Sequence, residues 1–235
     1  MLKVLCTIFL SFPVGILSQA WHNKACLEDD VGYAERLAQE TMYKIEKDVK
    51  FCNLKVDDFN QTINNHMYSW HVSGSVQYTD NFLISIQSVH LEKISSLVTR
   101  RLVNNVPEYQ AGVLFTLVFK QVKIGFNALV KLDNQPEQRY TLDYLYNSIS
   151  FPISIVRILN TNETTYTSSR AGNVAHVVRM NFLPYTNVSQ VIGRNFKSDS
   201  ISSSFTKWAR QIFLPIMQEL EDIITFPTIR LDGCK

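Results

Sequence analysis

The side chains able to do covalent or metal chemistry are few in this sequence and poorly spaced for it. Of five histidines, the closest pair is His66 and His71. Their odd spacing on an extended strand puts the rings on opposite faces, which argues against a chelating pair. His176 falls on an apolar strand face, the setting of a hydrogen-bonded core or pocket histidine more than of a general base. The sequence has no G-x-S-x-G elbow and no H-E-x-x-H pair, the usual signatures of an activated serine and a helix-borne zinc ion. It has no P-loop, no dinucleotide glycine pattern and no C-x-x-C. Carboxylates are present, but no spacing pairs two of them for acid–base work. The reading is a non-enzyme that needs no metal and no cofactor. Lys93, Arg100 and Arg101 make a small basic cluster after a strand, either a solvated strand end or a contact for anionic headgroups.

Residues 1–20, MLKVLCTIFLSFPVGILSQA, have a basic start, an apolar run and a small-residue cleavage pattern at Ser18 and Ala20. They read as a secretory signal, leaving 21–235 as the mature chain. Loss of Lys3 lowers the formal charge from +2 to +1. That balance carries no footprint for nucleic acid and does not suit a strongly basic membrane binder. Without a Gly/Pro/Ser-rich linker or a repeat, 21–235 reads as one domain.

Three cysteines remain after that cut: Cys26, Cys52 and Cys234. In a secreted protein a disulfide is the expected use. A helix over 28–50 would hold Cys26 and Cys52 roughly 35 Å apart, against about 4.4–6.8 Å between the Cα atoms of a disulfide. Cys234 therefore takes one of them. Cys26 is preferred on the assumption that the two long helices run antiparallel. Asn60, Asn162 and Asn187 begin three glycosylation sequons, all in stretches read as connections.

Two amphipathic helices bracket the chain. Over 28–50 the stripe is Val31, Ala34, Ala38, Met42, Ile45 and Val49. Over 202–226 it is Phe205, Trp208, Ala209, Ile212, Ile216, Leu220, Ile223 and Ile224. Pro215 predicts a kink and Pro227 the stop. Between the helices the pattern is strand-like: 68–78, then Phe82, Ile84 and Ile86, with a phase change toward Val89 and Leu91 that reads as a bulge or bend. Strands over 113–122 and 124–132 follow, then a turn at 133–136. Next come strands over 140–146 and 149–159, where Pro152 suggests an edge or bulge. A polar loop over 160–172, a strand over 174–182 and a short helix within 184–201 complete the order. The class is α+β: a long curved antiparallel sheet wrapped around the N-terminal and C-terminal helices. The composition is 46% hydrophobic with 14 Phe and 10 Tyr, and a hydrophobic cavity is one use for that surplus.

Several stretches, in order, resemble mite group 7 allergens: IEKDVKFCNLKVDDF (45–59), GSVQYTDNFLISIQSVHL (74–91), AGVLFTLVFKQVKIGFNALVKL (111–132) and FLPIMQEL (213–220). That group is related to the takeout and juvenile-hormone-binding proteins and, more distantly, to the bactericidal/permeability-increasing proteins. The closely spaced N-terminal cysteine pair of the hormone binders is missing here. The resemblance implies a tubular lipid-binding domain in a secreted, extracellular protein that carries a lipid or other hydrophobic small molecule without catalysis. The alternative is an innate-immune protein that recognises bacterial lipids at membrane surfaces. The expected ligand-lining residues are Met42, Ile45, Phe115, Phe119, Phe126, Met180, Trp208, Ile212 and Ile216, with packing against the sheet as the competing role of each.

Overall fold

A computed structural model describes residues 25–48, 54–67, 70–169 and 172–230. The expected signal, Val49, Cys52 and Cys234 lie outside the described residues, as does the side chain of His176. The elements in order are β1 (Cys26–Leu27), α1 (Asp30–Lys47), β2 (Phe59–Met67), β3 (Trp70–Ser85), β4 (Ser88–Val103), β5 (Val106–Leu132), β6 (Gln138–Ile158), β7 (Glu163–Ser168), β8 (Gly172–Leu183), α2 (Asn187–Asn195), α3 (Asp199–Trp208), a π turn (Ala209–Phe213), α4 (Leu214–Glu219) and β9 (Ile229–Arg230).

The seven strands β2 to β8 form one antiparallel sheet. β5 is its spine, and the stretches read as separate strands over 113–122 and 124–132 are one strand. β3 pairs with the C-terminal half of β5 and β4 with its N-terminal half. β3 and β4 are thus consecutive lengths of one path along the same neighbour. Similarly, β8 and β7 line successive lengths of β6. Pro152 falls where the outer neighbour of β6 changes from β8 to β7, so the missing donor interrupts no continuous ladder. β2 bounds one side and β7–β8 the other, which leaves the sheet open.

A transverse crease crosses this sheet. In β5 the residues that join the core are 111, 113, 115, 117 and 119, then 122, 124, 126, 128, 130 and 132. The phase flips at Gln121, whose φ is 51°. β6 flips likewise, from 140–146 to 149–155. Its break faces that of β5, since Lys120 pairs with Ser148 and Val122 with Tyr146. The gap between β3 and β4 lies at the same level, between Ser85↔Lys123 and Ser88↔Lys120. The phase change expected between Ile86 and Val89 is one part of this crease. Aligned bulges bend a sheet while keeping its apolar residues on one face.

The helices depart from the sequence reading in instructive ways. α1 buries Tyr33, Ala34, Leu37, Ala38, Thr41 and Ile45. Its apolar face is therefore rotated from the expected stripe, with Val31 exposed and Met42 half-buried. The C-terminal helix runs as α3, π turn and α4 and stops at Glu219, short of Phe226. The ring of Pro215 cannot donate and crowds the preceding turn. The π turn accommodates it, with Leu214 N–H donating to the Ala209 carbonyl. The extra residue brings 213, 214 and 217 into the buried face beside the expected 216. Ile212 is left half-buried and Ile223 71% exposed. The polar loop expected over 160–172 contains β7. Asn60 lies on the edge strand β2 and Asn187 opens α2, whereas Asn162 is in a turn; all three are exposed. β1 pairs only with β9, Cys26 opposite Arg230, and Arg230 forms an ion pair with Glu28 at 2.6 Å.

Candidate ligand-binding site

The crease opens a space on the inner face of the sheet. Side chains normally return to one face every second residue. At the crease Phe119 and Val122 are three apart, and neighbouring strands share the interruption. An apolar cavity of about 230 Å³ lies there. Met42, Ile45 and Glu46 of α1 form one wall, and Phe205 and Trp208 of α3 another. Leu83, Ile86 and Phe119 supply the sheet side, and Leu54 closes an end.

Local structure explains these positions. Leu54 belongs to a chain segment pinned to β3: Val56 N–H donates to the Asn81 carbonyl (3.1 Å) and Leu83 N–H to the Leu54 carbonyl (3.0 Å). The buried amide of Asn81 donates to the Asp57 carbonyl at 3.1 Å. Trp208 and Phe119 lie edge to face at 5.8 Å, and Phe119 and Phe151 at 5.1 Å, so the aromatic wall is braced from behind. The indole N–H of Trp208 is buried with no hydrogen-bond acceptor.

A groove of about 960 Å³ runs between α1 and β4. Ala38, Met42, Val89, Leu91 and Leu117 give it an apolar floor, and it meets the cavity at Met42 and Glu46. The groove alone falls within the ~300–1,000 Å³ range of small-molecule sites.

The structure brings four of the nine expected lining residues, Met42, Ile45, Phe119 and Trp208, into the cavity wall. Phe115 and Ile216 are buried and do not line it. Ile212 is half-buried within the π turn. Met180 packs with its sulfur against Gly193 of α2. Phe126 belongs to a filled aromatic cluster with Phe59, Tyr78, Tyr144 and Phe196, at centroid distances of 5.2–6.1 Å.

Leu54, Leu83, Ile86 and Phe205 line the cavity but were not among the expected lining residues. Leu83 was hidden by the alternation of Phe82 and Ile84. Those two are half-exposed and cover Gly125 from the other side of the sheet, so Leu83 has the inward phase. Phe205, by contrast, was visible on the apolar stripe of the C-terminal helix.

The chemistry-bearing residues are placed differently from expectation in two respects. His66 and His71 are cross-strand neighbours on β2 and β3, with ring centroids 4.9 Å apart, because a hairpin brings together residues that a single strand would separate. Among the described residues no group of three or more His, Cys, Asp and Glu is placed to hold a metal. Lys93, Arg100 and Arg101 lie within β4, not after a strand, and the two arginines approach the β4–β5 hairpin end. Among the described residues no helix is long and apolar enough to cross a membrane.

No family model and no curated protein matches the sequence. Among solved structures, the chain is similar to a crystal structure of lipopolysaccharide binding protein. The TM-score is 0.39 and the identity 12%, over 86% of this chain and 42% of that one.

Proposed function

We propose that this chain is a secreted, glycosylated, non-catalytic carrier that binds a lipid or other hydrophobic small molecule, of the mite group 7 allergen-like kind. The supporting observation is the apolar cavity between α1, α3 and the creased sheet, continuous with the α1–β4 groove at Met42 and Glu46. Apolar burial supplies about 25 cal/mol per Å² of affinity, less the cost of ordering the ligand. The exposure of Asn60, Asn162 and Asn187 supports glycan attachment. A Cys26–Cys234 disulfide belongs to the same proposal. Cys26 is a bonded half-cystine lying opposite Arg230, four residues before Cys234 in sequence.

Native mass spectrometry of the protein secreted from insect cells is expected to show a mass excess beyond glycans that organic extraction removes. Replacing Ile86 with Trp fills the cavity and is expected to reduce that loading at least about tenfold, with the circular dichroism kept. Unchanged loading of a folded Ile86→Trp variant would place the ligand elsewhere.

A second reading, recognition of bacterial lipids at a membrane surface, is favoured by the β4–β5 hairpin end. Leu102 is 68% and Val106 60% exposed there, with Arg100 and Arg101 close behind on β4. It requires co-sedimentation with anionic vesicles that weakens with salt.

A further inference from the structure

Resting on the carrier reading, we infer that the α1–β4 groove selects its ligand by the charge of the polar end, and that the occupant is a single-chain amphiphile with a cationic amine head. The floor of the groove is apolar, but its α1 rim carries Glu35, Glu40 and Glu46. None of the three forms an ion pair among the described residues. No lysine or arginine lines the groove, and His90 is its one basic side chain. The two lysines nearest along α1 are engaged. Lys44 lies 3.8 Å from Glu219, and the Lys47 ammonium sits 4.0 Å from the ring centroid of Tyr43.

That last contact sets a cation against an aromatic ring of the rim. Tyr43 lines the groove, is half-exposed, and already presents its ring face to an ammonium group. Lys47 offsets one of the three carboxylates, and a net negative rim remains. A chain lying on Met42, with its tail toward Phe119 and Trp208, would pass Glu46 at the cavity mouth and leave its head toward Glu35 and Glu40. A carboxylate or phosphate head placed there meets like charge. An alcohol is indifferent to it, and an amine is attracted. At an exposed rim each pairwise term is small and screened by salt, so the selection comes from the set of carboxylates and not from any one of them.

The test uses the full mature protein and displacement of a neutral naphthylamine dye by dodecylamine, dodecanol and dodecanoate at neutral pH and low salt. The expected order is amine, alcohol, carboxylate, with at least about tenfold between the first and the last. Combining Glu35→Gln, Glu40→Gln and Glu46→Gln, all at exposed positions, is expected to bring the amine and carboxylate affinities toward that of the alcohol. Half-molar salt is expected to do the same. Dodecanoate binding as tightly as dodecanol, or an order that survives the triple substitution, would overturn the inference while leaving a carrier in place. Failure of all three chains to displace a bound dye would overturn the carrier reading and this inference with it.

Discussion

Raising the pH from about 9 to about 11.5 is expected to unfold the protein in one cooperative step, seen as a joint change in tyrosine absorbance and far-ultraviolet ellipticity. Tyr33, Tyr78, Tyr144 and Tyr146 are each no more than 2% exposed. Burial disfavours the phenolate and pushes the Tyr33 hydroxyl up to about 12. It raises Tyr78, Tyr144 and Tyr146 as well, and the half-buried Tyr166 in the same direction. Folded values above the unfolded value of about 10 mean that the folded chain keeps protons the unfolded chain has released. The stability these groups carry is therefore complete below pH ~10 and is lost as the pH rises toward and through the folded values. Each buried tyrosine costs about 1.4 kcal/mol for the first pH unit above 10, so four cost about 6 kcal/mol at pH 11. That approaches the ~5–15 kcal/mol total of an ordinary domain. Gradual ionisation with unchanged ellipticity to pH ~12 would contradict this account.

Truncating Phe126 to alanine is expected to cost about 3–5 kcal/mol, measured by the shift in urea midpoint, while the folded fraction still takes up ligand. Phe126 is 1% exposed. Its ring contacts those of Phe59, Tyr78, Tyr144 and Phe196, and Tyr144 stacks on Phe196 at 3.8 Å. The four neighbours hold one another and cannot all collapse into the vacated volume, which is the condition under which a truncation is most costly. The cavity wall is formed by other residues, so its shape does not depend on this ring. A loss under about 1 kcal/mol would show that the cluster repacks. Loss of uptake in the folded variant would place Phe126 in the ligand path.

The helix–strands–helix order and the single antiparallel sheet were legible because α1 and β3–β6 carry clear periodicity. The bulge between Ile86 and Val89 was legible as a phase change within one strand. Its continuation through Gln121 and Asn147 was not, because aligning breaks in different strands requires the pairing register, which no single strand contains. The buried phase of the C-terminal helix was legible at Ile216, Leu220 and Ile224 but failed at Ile212 and Ile223. A π turn adds a residue to the repeat, so a periodicity argument that is sound for Phe205 and Trp208 misplaces Ile212, and Ile223 lies past Glu219, where the helix has ended. The aromatic residues expected to line a ligand were almost all buried as expected. Whether a buried aromatic faces a cavity, as Phe119 does, or other rings, as Phe126 does, depends on its distance from the crease, and composition is silent on that. Sequence reasoning likewise separated His66 from His71, since it assigned one strand where a hairpin makes two.

The pairing of β1 with β9 dictates the order in which this molecule can be assembled. Glu28 and Arg230, which flank that junction, are 202 residues apart, so a very long loop closes there. The hairpins from β2 to β6 need only near neighbours and can form as the chain emerges. α1 packs against β4 and β5, but the ladder partner of β1, at its leading end, is β9 on the far side of the sheet in sequence. The junction ahead of the wall that carries Met42, Ile45 and Glu46 is therefore a late contact to close, after the hairpins of the sheet.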